Sequence, residues 1–374
     1  MINAIQQLGL GVINKEITLE WFARVLGFRT VIFNDQGDAT FMTQYTGGEI
    51  CQRDAALVLN SHGGGGLEIW QHISRQPIAQ PKNMNLHSTG FLICKVRCKG
   101  IDAVIEQLWA DREPSLSIIG NIEERPTGER CCYFSVFGSW FQLVEEKCGY
   151  FRDTGTSFCA GVMGVTVGVD DMERSLKFYR NVLGYNHIVQ DKEGEWSDWT
   201  GFYDLNQSNS GVYRRVLLRR ENPETGLYAK VFGVGEIELI KTIHSSFGEL
   251  WQTTKEGLRL SKGTHLYSDR YWGDPGFIHL CFDVSQMAEL AESCARLGAH
   301  FTVDTGADFS MGKLASGRFA YLEDPDGSLI EFVETYRIPI LKKPGLFLNV
   351  KGRAKALPRW ILKFAVKDNY REKL

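Results

Sequence analysis

The sequence predicts an α+β protein made of four copies of one strand–helix–strand unit, grouped in two domains. Three observations predict it. Residues 276–334 read as a strand, a helix and further strands, and the same order recurs three times upstream. A chain of 374 residues also exceeds what one ordinary core holds.

The fourth copy is the clearest. With a two-residue period its first strand turns Leu280, Phe282 and Val284 one way and His279, Cys281 and Asp283 the other. Met287, Leu290, Ala291, Cys294 and Leu297 then recur at helical spacing, with Ser285 placed to cap the start and Gly298 to stop the end. Asp324-Pro325-Asp326-Gly327 reads as a turn, because proline presets one dihedral and glycine tolerates a positive one. The last strand turns Leu329, Glu331 and Val333 away from Ile330 and Phe332. One histidine thus stands on the first strand of the unit and one carboxylate on its last.

The first copy alternates Leu8, Leu10 and Val12 against Gln7, Gly9 and Gly11. A helix through residues 19–26 is stopped by Gly27, and the closing strand turns Glu68 and Trp70 to one face. The run Gly63 to Gly66 leads into a strand rather than a helix, so it reads as a flexible hairpin loop and not as a phosphate cradle. The second copy runs from residues 91–97 through a helix at 101–109 to a strand at 140–145, with Ile93 and Gln142 at the corresponding points. In the third, Asp170-Asp171-Met172-Glu173 has the capping-box pattern, and the corresponding points hold Gly164 and Glu238.

Residues 147–160 are rich in Gly, Thr and Ser and lack periodicity. They set the expected division: a domain over 1–150 with modules one and two, a domain over 158–338 with modules three and four, and a basic extension over 339–374 packed back on one of them. An insertion between Ile240 and Gly276 is dense in aromatic and charged groups. From it, Arg270 and Trp272 are the candidates for substrate binding, since a guanidinium offers a planar double donor to carboxylate or phosphate.

Hydrophobic residues make up 43% and aromatics 12%, enough for two cores, while a formal net charge of -3 gives no electrostatic case for nucleic acid. No apolar run reaches membrane-spanning length, and no charged n-region followed by an apolar h-region opens the chain. The nine cysteines form no metal-type CxxC pairs. The expectation is a cytoplasmic protein with a small-molecule substrate.

The unit over 276–334 resembles the βαβββ module of the vicinal oxygen chelate superfamily, which includes glyoxalase I, extradiol dioxygenases and bleomycin-binding proteins. Phe178-Tyr179-Arg180-Asn181-Val182-Leu183-Gly184-Tyr185 is similar to the family's helix ending. The resemblance covers about residues 4–338 and implies four βαβββ modules forming two glyoxalase-like domains. It places metal ligands on the first and last strands of modules, and so on His279 and Glu331, in a cleft between two modules. Sequential pairing of modules would give Gly164, Glu238, His279 and Glu331 in one cleft. Crossed pairing, module one with four, would give Gln7, Glu68, His279 and Glu331, a set similar to that of some glyoxalase I enzymes. The other cleft, with Ile93, Gln142, Gly164 and Glu238, would then be inactive.

The crossed set implies a divalent ion (Zn, Ni, Co, Mn or Fe) and an isomerase- or lyase-type proton abstraction with enediolate stabilisation, Glu331 or Glu68 acting as base. The alternatives are a non-catalytic binder of the bleomycin-resistance type and a ring-cleaving dioxygenase. Gly164 disfavours the last, because family members of that class carry a histidine there.

Overall fold

The computed structural model describes residues 1–80, 85–146, 157–221, 225–245, 251–254, 257–260, 265–306, 309–311, 315–339, 347–353, 355–358, 361–362 and 368–370. Module one comprises β1 (Ile2–Gly11), α1 (Lys15–Trp21), β2 (Thr30–Asp38), β3 (Gln52–Leu59) and β4 (Gly66–His72). Module two comprises β5 (Gly90–Cys98), α2 (Ile101–Ala110), β6 (Ser117–Glu124), β7 (Arg130–Val136) and β8 (Ser139–Glu145). Module three comprises β9 (Cys159–Gly168), α3 (Met172–Asn181), β10 (His187–Gly194), a short α4 (Thr200–Leu205), β11 (Gly211–Arg219), α5 (Ala229–Phe232) and β12 (Glu236–Ser245). The insertion contributes a hairpin, β13 (Trp251–Thr254) and β14 (Gly257–Leu260). Module four comprises β15 (Gly276–Val284), α6 (Met287–Arg296), β16 (Val303–Asp304), β17 (Phe309–Met311), β18 (Ala315–Glu323) and β19 (Leu329–Pro339), followed by β20 (Phe347–Asn349).

The modules pair crosswise. One sheet runs β16-β18-β19-β15-β1-β4-β3-β2 and the other β10-β11-β12-β9-β5-β8-β7-β6. Modules one and four therefore share a sheet, as do two and three. The contiguous stretches 1–150 and 158–338 are not the units that share a sheet. In each sheet the first strands of the two modules run antiparallel at the centre, β1 against β15 and β5 against β9. Each is flanked on its other side by its own module's last strand in parallel.

Strand alternation sorts the faces. Leu8, Leu10, Leu67, Ile69, Leu280, Phe282, Ile330 and Phe332 of the first sheet join Cys94, Val96, Phe141 and Leu143 of the second and the buried sides of the helices in one apolar cluster. The opposite faces are concave and carry the polar side chains. Gly27 closes the first helical segment at φ +76. The expected cap of α6 is different from Ser285: Gln286 stands before the helix at φ +58, and the Glu334 carboxylate accepts from the backbone N–H groups of Gln286 (2.7 Å) and Met287 (3.1 Å). A carboxylate from β19 thus satisfies the donors that a serine hydroxyl was expected to take.

The glycine run has a different role from the flexible loop expected of it. Gly65 and Val162 exchange backbone hydrogen bonds of 2.8 Å in both directions, and a Cβ on Gly64 would lie 2.6 Å from the Cα of Gly161. The run is buried where β9 meets module one, and only residues without side chains allow the two main chains so close. Beyond β20, Val350, Leu357 and Leu362 pack with Ala4, Leu59, Leu227, Val231 and Phe232, so the described part of the extension lies back on the body. Of the short apolar stretch Trp360 to Val366 in the extension, Trp360 and residues 363–366 lie outside the described residues.

The polar face of the second sheet carries a buried ion-pair network. Arg215, wholly buried, donates to Glu238 Oε1 at 2.8 and 3.0 Å and to Asp198 Oδ1 at 2.7 Å, and lies over the rings of Trp196 and Trp199. Lys95 Nζ lies 3.0 Å from Glu238 and 3.2 Å from Glu236, which also receives Arg125 and Arg219. Tyr133 donates to Asp198 and accepts from Gln142 and Trp199. Burial would push the Glu238 carboxyl up, but Arg215, Lys95 and Arg125 hold it well below the usual carboxylate range.

Two predictions follow from these interiors. Arg215→Met leaves Glu238 and Asp198 buried without their main partner, so equilibrium unfolding in urea should show a loss of about 3–5 kcal/mol. Unchanged stability would mean that the network carries no structural load. Asp283 is fully buried beside Asn3, whose amide donates to it at 2.9 Å; burial, with Glu334 nearby, pushes its carboxyl up to about 7. The unfolded chain releases that proton near 3.8. Between these values the folded state binds more protons than the unfolded, so stability falls as pH rises across the window. Asp283→Asn should gain stability relative to wild type, by up to about 4 kcal/mol, on going from acidic to mildly alkaline buffer. Parallel melting curves across that range would disprove the assignment.

Candidate metal centre

On the concave face of the first sheet, four expected residues come together from four strands. Gln7 is on β1, Glu68 on β4, His279 on β15 and Glu331 on β19. The crossed sheet makes this possible, because β1 lies between β4 and β15, and β15 lies between β1 and β19. One ligand atom each from Glu68, His279 and Glu331 fall within 4.8 Å of one another. His279 Nε2 stands 3.2 Å from Glu68 Oε2 and 3.1 Å from Glu331 Oε2. Gln7 Nε2 donates to Glu68 Oε2 at 2.8 Å.

His279 is wholly buried, and Glu331 is 7% exposed. Gly9, opposite His279 on β1, is what lets the ring lie there: a Cβ at Gly9 would stand 2.6 Å from His279 Cε1.

The electrostatics of the cluster are unbalanced. A single imidazole nitrogen faces two carboxylates and has at most one proton to share. Gln7 Oε1, Glu331 Oε2 and both ring nitrogens of His279 lack a well-formed hydrogen bond among the described residues. Burial, reinforced by Glu68, pushes the Glu331 carboxyl up to about 7 against the pull of His279. Burial acts on Glu68 in the same direction, yet His279, Arg53 and Gln7 hold it below its ordinary value. His279 is raised, burial opposing and the two carboxylates prevailing. Buried acceptors gathered around one nitrogen, with unpaired lone pairs, fit a divalent cation.

Aromatic groups wall the cluster. The Trp272 ring stacks over His279 at 6.3 Å and 19°, and the Tyr321 ring meets His279 edge-on at 5.6 Å. Tyr321 stands opposite Glu331 across the β18–β19 ladder. It was not singled out from sequence, although its alternation with Phe319 and its position one strand from Glu331 carried the signal.

Arg270 sits differently from the expectation. Its guanidinium donates to the carbonyl oxygens of Leu266 and Pro275 and lies over the Tyr267 ring. Its fork closes the ends of the 266–275 loop through these carbonyls. Asp274, fully buried, fixes the same loop by accepting from Arg75 at 2.8 Å and from the backbone N–H groups of Ile78 (3.0 Å) and Tyr271 (2.8 Å).

The alternative ligand Glu238 lies in the other sheet, bound to Arg215, Lys95 and Thr166. Gly164 lies in that sheet too, with no room for a side chain: a Cβ there would stand 2.0 Å from the Glu236 carbonyl oxygen. The four residues of the sequential set are therefore divided between the two sheets.

Residues 162–332 match the family model of the Glyoxalase/Bleomycin resistance protein/Dioxygenase superfamily. No curated protein matches by sequence. Among solved structures, the chain is similar to glyoxalase I from Zea mays, at TM-score 0.50 and 14% identity, covering 88% of this chain and 92% of that one. It is likewise similar to a putative dioxygenase from Bacillus subtilis, at TM-score 0.53 and 14% identity, covering 100% and 96%. At such identities the likeness is one of fold, and it spans both sheets. The family match thus covers modules three and four, and the likeness of fold extends over all four modules.

Proposed function

We propose that the protein is a divalent-metal-dependent enzyme that binds a small oxygen-rich molecule and abstracts a proton from a carbon beside the bound oxygens. The convergence of Glu68, His279 and Glu331 in one buried cluster supports this reading most. Glu68, His279, Glu331 and the carbonyl of Gln7 would hold the ion. Such an ion acts as a Lewis acid that polarises neighbouring substrate oxygens and steadies an enediolate.

The residues themselves divide the remaining work. Glu331 is the better-placed proton acceptor, because its Oε2 receives no hydrogen bond among the described residues while Glu68 accepts one from Gln7. Trp272 and Tyr321 cover the imidazole and keep bulk water from the reacting carbon. Zn, Ni, Co, Mn and Fe all suit three oxygens and one nitrogen. The chain's eight described cysteines are buried and free, which fits a reducing cytoplasm, and no helix among the described residues is long and apolar enough to cross a membrane.

The competing reading is a metal-free binder, supported by the aromatic lining of the same cleft. Elemental analysis separates the two: protein purified from trace-metal medium should carry about one ion per chain. His279→Ala and Glu68→Gln should each lower bound metal roughly tenfold or more, whereas Glu238→Gln should retain it. A metal-free wild type, or metal lost from the Glu238 variant and kept by the Glu68 variant, would refute the assignment.

A further inference from the structure

The cleft of the first sheet holds polar groups that the chemistry above does not use. Trp70 stands two residues beyond Glu68 on the same face of β4 and is fully buried. Its ring meets that of Trp272 at 4.8 Å and 68°. Neither indole N–H has a hydrogen-bond partner among the described residues, and the buried Nε–H of Arg75 has none either. The other nitrogens of Arg75 are engaged, Nη1 with Asp274 at 2.8 Å and Gln76 O at 3.1 Å, and Nη2 against His72 Nε2 at 2.7 Å. His72 packs edge-on to Trp70 at 4.5 Å. Burial, with Arg75 beside it, lowers its pKa to about 4, so it is a neutral ring near neutral pH.

An indole N–H and an arginine Nε–H can only donate. Leaving such a donor buried and unpaired is costly, and three in one cluster call for an occupant that offers acceptors. The Arg75 guanidinium is already matched by Asp274. Glu68 shares β4 with Trp70, and Glu331 lies on the same face of the sheet, which disfavours a doubly charged phosphate. A singly charged, planar group fits better. Trp272 links the two regions, since its ring stacks on His279 on one side and meets Trp70 on the other.

We propose that this end of the cleft receives a carboxylate of the substrate, held by the indole N–H groups of Trp70 and Trp272 while the vicinal oxygens face Glu68, His279 and Glu331. The substrate is then an oxygen-rich carboxylic acid rather than a neutral diol or ketone. The inference rests on the metal-dependent reading above.

The test uses the full chain loaded with Zn(II), which has no redox chemistry, and two probes that chelate alike but differ by one carboxylate, protocatechuate and catechol. Calorimetric titration should show protocatechuate binding roughly tenfold tighter or more, the worth of one charge-assisted pair of hydrogen bonds. Trp70→Phe and Trp272→Phe keep an aromatic ring but delete the donor, and each should shrink that ratio severalfold while zinc content holds. Equal affinities for the two probes in wild-type protein would overturn the proposal and leave metal dependence standing. A ratio that survives in both variants would also overturn it, leaving the donors to ordered water. The wild-type comparison decides even if a variant fails to fold. A wild type that takes up no zinc would overturn the parent reading instead, and this inference with it.

Discussion

The antiparallel ladder between β1 and β15 is the constraint on which the first sheet and its cluster depend. These strands are separated by more than two hundred and sixty residues of sequence, yet pair from Ile2 opposite Val284 to Gly11 opposite Gly276. Through that ladder, the last strand of module one and the last strand of module four flank a common centre, so Glu68 and Glu331 approach His279 from opposite sides. The glycines of β1 make the ladder compatible with a site: Gly9 admits the imidazole, and a Cβ at Gly11 would strike the carbonyl oxygen of Asp274, where the 266–275 loop crosses. Sequence period selects which face of each strand is polar. The ladder selects which polar faces meet.

The second sheet has the same frame and a different solution to its interior charge. Its central strands pair in the same way, and Glu238 stands on β12 as Glu68 stands on β4. Around Glu238 the chain supplies its own cations, Arg215 and Lys95, together with Thr166 as a donor. Burying two carboxylates is costly unless matched charge and hydrogen bonds accompany them. Here guanidinium and ammonium groups meet that requirement from within. In the first sheet Gln7 and a single histidine do not, and unpaired acceptors remain. This contrast, between two equivalent positions of one fold, is a stronger argument for a cation at Glu68 than the carboxylates alone provide.

Much of this arrangement was legible in the sequence, and the remainder was hidden for definable reasons. Helices α2, α3 and α6 follow their apolar period, and Gly27 ends its helical segment as expected. His279 and Glu331 stand out because a polar group interrupts an otherwise buried face. The choice between Glu68 and Glu238 was not legible, because both sit in near-identical short strands and a strand's period carries no information about its partner. The partners of Arg270 were not legible, because side-chain chemistry does not reveal the backbone carbonyls that a guanidinium meets in its own loop. The cap of α6 was missed for a similar reason, since Glu334 arrives from β19, far along the chain. Arg215 did leave a trace: it shares a parity with Tyr213 and Leu217, so a charged residue stands where strand alternation calls for burial.

Depth is the last consequence of the ladder and its glycines. His279 has no solvent exposure, and Trp272 above it retains 8%. The segment over the site is held by many separate bonds: Trp272 N–H to Tyr45 O at 2.9 Å, Tyr45 Oη to Thr302 and Glu323, Arg270 across the loop ends, and Asp274 beneath. A loop so tied is a wall rather than a fringe. It supplies rigid aromatic surface and excluded water, the conditions under which a fixed charge and a few donors act most strongly on a substrate. The Trp272–Tyr45 hydrogen bond and the Tyr271 ring beside Gly47 join the 39–50 segment to that loop.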